Sequence, residues 1–307
     1  MMTTPPATAP SSFPLMDLLK AMRPAQWTKN AIVLAAFFFA LGDRSQPQLT
    51  LGLGYQALLA AFCFCLVSSG VYIINDLSDI EGDRLHPHKR LRPIAAGRIR
   101  ASTAWGFALL LLLGGVGGGL AVNPHAGLVL AGYVALQLIY TFWLKRIPLV
   151  DIMIIAAGFV LRAITGALAV EVPISTWLLL CTFLLALFLA LCKRRHEKKL
   201  LDDTAERHRA VLEKYDPQLM DQLITITSAC TILSYAIYTL LPETVLKFGT
   251  HGLGLTIPFV IFGIFRYLDL VYRHGKGGRP EQILLTDAPL LTAIALFGLT
   301  AGIVIIL

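Results

Sequence analysis

The stretch from Asn75 to Gly97, NDLSDIEGDRLHPHKRLRPIAAG, packs four carboxylates and six basic side chains into 23 positions. It follows directly on ALLAAFCFCLVSSGVYII, a run without a single charge. Asn75, Asp76, Asp79 and Asp83 stand in the pattern NDxxDxxxD. On a 3.6-residue helix, offsets of three and seven bring Asp76, Asp79 and Asp83 onto one face, with Asn75 at its edge. Three acids on one face repel each other unless a cation lies among them. Carboxylates completed by the oxygens of a diphosphate are a common way to hold magnesium, which keeps several waters and takes few protein ligands. Lys89, Arg90 and Arg92 follow as a block, as if to meet an anion beyond the metal. The plain alternative is a solvated loop with charges of both signs.

A second charged segment, CKRRHEKKLLDDTAERHRAVLEKYD, begins at Cys192. Lys193, Arg194, Arg195 and Glu197 stand at its membrane boundary, where a charge is seldom idle. Asp202 to Lys214 reads instead as a surface helix with interleaved charge. Arg162 and Arg266 fall inside apolar runs, where a charge is costly and faces a polar cavity or a partner. Arg266 can pair with Asp269 at i,i+3. Arg162 has no acid close in sequence, which favours an anion-binding role. RPAQWTKN adds Arg23 and Lys29, and YTFWLKR adds Tyr140 and Lys145; each taken alone is ordinary snorkelling chemistry. No histidine or cysteine shows zinc spacing, and the five cysteines read as packing residues.

The elements that position these groups follow from composition. The 307 residues are 56% hydrophobic and only 15% charged, with a mean hydropathy of +0.69. A water-soluble domain carries charge at about a quarter of its positions. Runs of roughly 20 apolar residues predict nine helical spans, at about 27–47, 52–75, 101–121, 124–143, 148–170, 174–192, 222–241, 249–272 and 288–307. Asp43 and Arg44 shorten the apolar core of the first. The strand alternation of a membrane barrel is absent. Of the 26 Lys and Arg residues, 22 fall on the side of the N-terminus and the even-numbered loops, and only Arg44 and Lys247 fall opposite. That bias places the N-terminus and the charged loops in the cytoplasm. It also accounts for the net charge of +7 without nucleic-acid binding. Residues 1–14, rich in Pro, Thr and Ser, read as a disordered tail, and FPLMDLLKAMRPAQW as an interfacial helix. Residues 15–307 read as one membrane domain, an all-α bundle in contact with membrane lipids, with homo-oligomerisation left open.

Nine spans, NDxxDxxxD after the second and a charged loop after the sixth resemble the UbiA-type polyprenyl transferase superfamily across the chain beyond residue 15. MRPAQWTKN, YIINDLSDIEGDRLHPHKRLRPIAAG, LRAITGA, KRRHE and RPEQILLTD are similar to its phosphoribosyltransferase branch, whose members act on decaprenyl phosphate. The resemblance implies a UbiA-type bundle around a cytoplasm-facing cavity, in the plasma (inner) membrane. It implies that Asn75, Asp76, Asp79 and Asp83 hold magnesium and the donor diphosphate. Lys29, Lys145, Arg162, Lys193 and Arg194 would contact phosphates, with Tyr140, Glu197 and Arg266 also lining the substrate site. Lys89, Arg90 and Arg92 would meet the second phosphate of the donor.

The implied reaction is attack by a polyprenyl phosphate on C1 of 5-phosphoribosyl 1-diphosphate, serving cell-wall arabinan synthesis. Many superfamily members carry a second DxxxD motif after span six. Here that place reads KRRHEKKLLDD, which leaves the number of magnesium ions open and weakens an aromatic-prenylating reading. A prenyl transferase using a prenyl diphosphate donor and a transporter are the competing readings. The nearly charge-free outer half argues against the transporter.

Overall fold

The computed structural model describes residues 14–41, 43, 51–86, 88–173, 175–203, 214–278 and 280–306. Among them the secondary structure is helical throughout, without strands. A short helix α1 (Pro14–Ala21) leads into a 3-10 helix (Pro24–Leu34) and α2 (Ala35–Ala40). There follow α3 (Leu51–Ser78), α4 (Ile80–Leu85), α5 (Ala101–Val122), α6 (Pro124–Phe142), α7 (Val150–Ala169) and α8 (Thr176–Asp203). The chain ends with α9 (Pro217–Leu240), α10 (Pro242–Phe248), α11 (Ile257–Tyr272), α12 (Pro280–Thr286) and α13 (Ala288–Ile306).

Eight of the described helices are long and apolar enough to cross a membrane. They match the second to ninth expected spans. The first expected span, 27–47, differs: its described part is the 3-10 helix followed by one short α-helix, and residues 42 and 44–50 lie outside the described residues. The expected disordered tail lies outside them as well, apart from Pro14, which opens α1.

Local chemistry sets the turns. Asn123 alone links α5 to α6, its side chain accepting from the amides of His125 and Ala126, with Pro124 in the first helical position. Asp216 caps α9 in the same way through the amide of Leu219, ahead of Pro217.

The core lies where these helices meet. Ala21 and Met22 pack with Ile73 and Ile74 of α3 and with Ala104, Ala108 and Leu111 of α5. A second cluster joins Ile152, Phe188, Leu191, Ile224, Tyr267, Leu270 and Ile283, drawing α7, α8, α9, α11 and α12 together.

The 3-10 helix deserves the closest reading, because its three-residue turn eclipses positions i and i+3. Trp27, Asn30 and Val33 therefore share one face. Trp27 donates to Ser69 at 3.1 Å, Asn30 donates to Ser68 at 3.2 Å, and Val33 is fully buried. Gln26 and Lys29 share another face, and Arg23 caps the helix just before Pro24. The backbone of Val33 runs so close to α7 that a Cβ on Gly166 would collide with its carbonyl.

Gly166→Ala is thus expected to destabilise the protein by about 1–3 kcal/mol, the range for forced overpacking. Gly106→Ala, whose Cβ would meet nothing within 4 Å, is the matched control. Thermal melts of both in detergent check this, and coincident melting curves would refute the close approach.

Candidate active site at the charged end of the bundle

The acids expected on one face are split by a break in the helix. Asp79 leaves helical conformation (φ −103°, ψ 10°) between α3 and α4. Its amide still donates to the Asn75 carbonyl at 3.0 Å, and Asp83 donates to its carbonyl at 2.8 Å. Asp76 and Asp83, 3% and 4% exposed, converge on Arg92. Its Nη1 lies 3.0 Å from Asp76 Oδ1 and 2.6 Å from Asp83 Oδ2. Asp79 turns elsewhere and accepts from Lys145 Nζ at 2.5 Å. Asn75 is half-buried beside them.

The expected basic block divides. Arg92 points into the acids, Arg90 is exposed, and Lys89 sits beside it on a short 3-10 turn. A base given no site role from sequence, Arg23, takes part directly. It adopts a left-handed backbone (φ 55°), its guanidinium lies 5.2 Å from the Tyr72 ring centroid, and it pairs with Asp76.

Other expected site residues are held by their neighbours. Arg194, 3% exposed, donates to Asp151 at 2.7 Å and to Glu197 at 2.6 Å. Tyr215 donates to the other Asp151 oxygen at 2.6 Å and accepts the amide of Leu149 at 2.8 Å. This buried set fastens α8 and the start of α9 to the N-terminus of α7. Burial, reinforced by the hydrogen bond to Asp151, pushes the Tyr215 hydroxyl pKa up. Arg266 donates to Asp287 through Nε and Nη2, and to Asp269 through Nη1 at 2.8 Å. Asp269 was legible as an i,i+3 pair and Asp287 was not.

Among the described residues Arg162 has only neutral hydrogen-bond partners: Asn30 Oδ1 at 2.8 Å, the Gly158 carbonyl at 2.8 Å and the Tyr133 hydroxyl at 3.0 Å. The rings of Phe64, Tyr133 and Phe159 surround its guanidinium. Its charge is therefore solvated without being neutralised by a carboxylate. Tyr140 is buried near the end of α6.

Lys29 faces Glu281 of α12 at 3.9 Å, and Lys193 faces Glu197 at 4.0 Å. Burial alone would raise the Glu281 carboxyl pKa; the Lys29 charge and the hydrogen bond from Gln26 more than offset it and hold it below its usual value. Glu281 and Asp151 are thus further parts of this end with no role assigned from sequence. Glu281 had a signal, since RPEQILLTD was among the segments carrying the family resemblance.

Among the described residues no group of three or more His, Cys, Asp or Glu side chains is arranged to hold a metal. Two carboxylates are, however, what magnesium commonly takes from a protein when phosphate oxygens and water complete its shell. Asp76 and Asp83 fit that requirement, because they already hold one positive nitrogen between them. A small crevice lined by Ala35, Phe39, Ala163, Ala167, Leu178 and Tyr238 lies toward the opposite ends of α7 and α8 and includes none of the acids.

Removing Asp151 would leave Arg194 as a buried charge with only Glu197 to answer it. Asp151→Ala is expected to cost about 3–5 kcal/mol, while Asp269→Ala, at a half-exposed pair, costs at most about 1 kcal/mol. Denaturant unfolding in micelles measures both, and equal losses would count against a buried network.

The UbiA prenyltransferase family model matches residues 31–285. A decaprenyl-phosphate phosphoribosyltransferase of Corynebacterium glutamicum is 36% identical over 273 residues, covering 88% of this chain and 81% of that protein. Its namesake in Mycolicibacterium smegmatis is 34% identical over 290 residues, covering 92% and 90%. The structure of a UbiA homolog from Archaeoglobus fulgidus bound to GPP and Mg2+ superposes with a TM-score of 0.70 at 20% identity, over 94% of this chain and 99% of that one. Eight long apolar helices, the acids that end α3 and the matched length together make this chain a multi-pass membrane transferase of the UbiA prenyltransferase family.

Proposed function

We propose that the chain is a polyprenyl-phosphate phosphoribosyltransferase, moving 5-phosphoribose from 5-phosphoribosyl 1-diphosphate to a decaprenyl-type phosphate and releasing diphosphate. Relatives named for this activity match most of the chain. The observation that carries the site is Arg92 Nη1 shared between Asp76 and Asp83, a place built to bind positive charge. Asp76 and Asp83, with Asp79 and Asn75 beside them, would hold magnesium. When bound, that ion supplies neutralisation of the charge that grows on the leaving diphosphate.

The chain's own residues do the rest. Arg23, Arg92 and Lys145, which neutralise the acids here, lie close enough to exchange carboxylate for phosphate oxygens as the donor arrives. Lys29, Lys193 and the charge on Arg162 favour anions beside them. An acceptor phosphate oxygen forms the new bond to C1 while the bond from C1 to the diphosphate breaks. C1 takes on oxocarbenium character on the way. The acceptor is already an anion, so no side chain has to remove a proton. Fixed positive groups aimed at the departing charge are the main catalytic term.

Residues 15–307 act as one domain in this reading, in the plasma membrane with the N-terminus and the charged end in the cytoplasm, as the basic asymmetry supports.

The test is transfer from labelled phosphoribosyl diphosphate to decaprenyl phosphate by the purified chain in nanodiscs, with and without chelator. Asp76→Asn and Asp83→Asn are each expected to slow turnover at least about 100-fold. Near-wild-type rates, or transfer from a prenyl diphosphate to an aromatic acid instead, would overturn the assignment.

A further inference from the structure

Glu281 and Tyr267, at the charged end, have no part in that mechanism. Glu281 Oε1 accepts from Gln26 Nε2 at 3.0 Å. Among the described residues its other oxygen, Oε2, is buried and has no hydrogen-bond partner, the Lys29 ammonium standing off at 3.9 Å. Tyr267 is 2% exposed, its ring packs on Phe188 at 5.6 Å, and its hydroxyl also has no partner. Lys193 approaches only Glu197, at 4.0 Å. Tyr267 and Ile283, two residues beyond Glu281, belong to one buried cluster, which brings the two partnerless groups to the same end of the bundle.

Buried polar atoms without partners cost free energy and call for an explanation. Two such atoms are found here, a carboxylate acceptor and a hydroxyl, beside the half-buried ammonium groups of Lys29 and Lys193. The ammonium groups suit phosphate oxygens. The carboxylate suits a ligand that donates O–H. A prenyl diphosphate offers anionic oxygens and no hydroxyl, so Glu281 would repel it. A phosphorylated sugar offers both.

We propose that Glu281 and Tyr267 form a sugar-hydroxyl subsite beside Lys29 and Lys193, which selects the ribose of the donor. The assignment rests on the phosphoribosyl reading and adds to it the residues that read the sugar. The 3-10 helix supplies the connection to the acids. Gln26 and Lys29 share one face and meet Glu281, while Arg23, which caps the helix just before Pro24, pairs with Asp76. From Pro24 to Lys29 is about 10 Å along the axis at a rise of about 2.0 Å per residue. One elongated donor can therefore lie along that face with its diphosphate at the acids and its ribose at Glu281.

The test uses the full chain in nanodiscs with phosphoribosyl diphosphate and its 2-deoxy and 3-deoxy analogues. A site built to bind a hydroxyl rejects an analogue lacking it strongly, so wild-type kcat/KM is expected to fall at least about 100-fold for one analogue. In Glu281→Gln, which keeps the oxygen that meets Gln26, donor KM is expected to rise about 10- to 100-fold and most of that discrimination to vanish. The KM for polyprenyl phosphate should stay within about twofold. Tyr267→Phe, which keeps the packing on Phe188, should lose part of the same discrimination. Wild type that discriminates while both variants discriminate equally would overturn the subsite and leave the phosphoribosyl reading standing. Wild type that transfers nothing from phosphoribosyl diphosphate would overturn both.

Discussion

Carboxylates buried at the end of an apolar helix need cations, and they draw them from wherever the chain can supply them. Asp76 takes Arg23 and Arg92, Asp83 shares Arg92, Asp79 takes Lys145 and Asp151 takes Arg194. Those bases come from the N-terminal 3-10 helix, the loop after α4, the link between α6 and α7, and the end of α8. The pairs are therefore an assembly rule as much as a set of contacts. An element out of place leaves a buried charge unpaired, which costs far more than the pair itself contributes. The same rule explains why the charged end suits anionic ligands. Cations are already gathered there, and Arg162 keeps a charge that no carboxylate among the described residues offsets by a hydrogen bond.

The architecture was legible because a bilayer imposes one simple demand, a long apolar helix, and eight of nine expected spans obeyed it. The acids at the end of α3 and the bases after it were legible for the same reason, since charge stands out against an apolar run. The pairings were not. Sequence spacing reports neighbours three or four apart, so Arg266 with Asp269 could be read. Arg194 with Asp151 is 43 residues apart and Gln26 with Glu281 is 255. Nothing local distinguishes those partners from any other charge at the same end.

Period was the other blind spot. Reading RPAQWTKN with a 3.6-residue turn sets Gln26 and Lys29 obliquely to each other, and Lys29 looks like a solitary snorkelling side chain. A three-residue turn lines them up. In the same way, the NDxxDxxxD spacing suggests one acidic face, whereas the break at Asp79 sends that residue to Lys145 and leaves Asp76 and Asp83 as the convergent pair. Lys89, Arg90 and Arg92 looked like one anion-binding block; the fold turns Arg92 inward and leaves Arg90 in solvent.

The tighter helix also changes how far the N-terminal segment reaches. Its eleven 3-10 residues extend about 22 Å at about 2.0 Å per residue. The six residues of α2 add about 9 Å at about 1.5 Å per residue. Laid end to end they cover about 31 Å, the thickness of a bilayer's hydrocarbon core, whereas the same residues wound entirely as α-helix would stop near 26 Å. The described part of this segment thus matches the membrane by length, and it does so through the same winding that aligns Gln26 with Lys29.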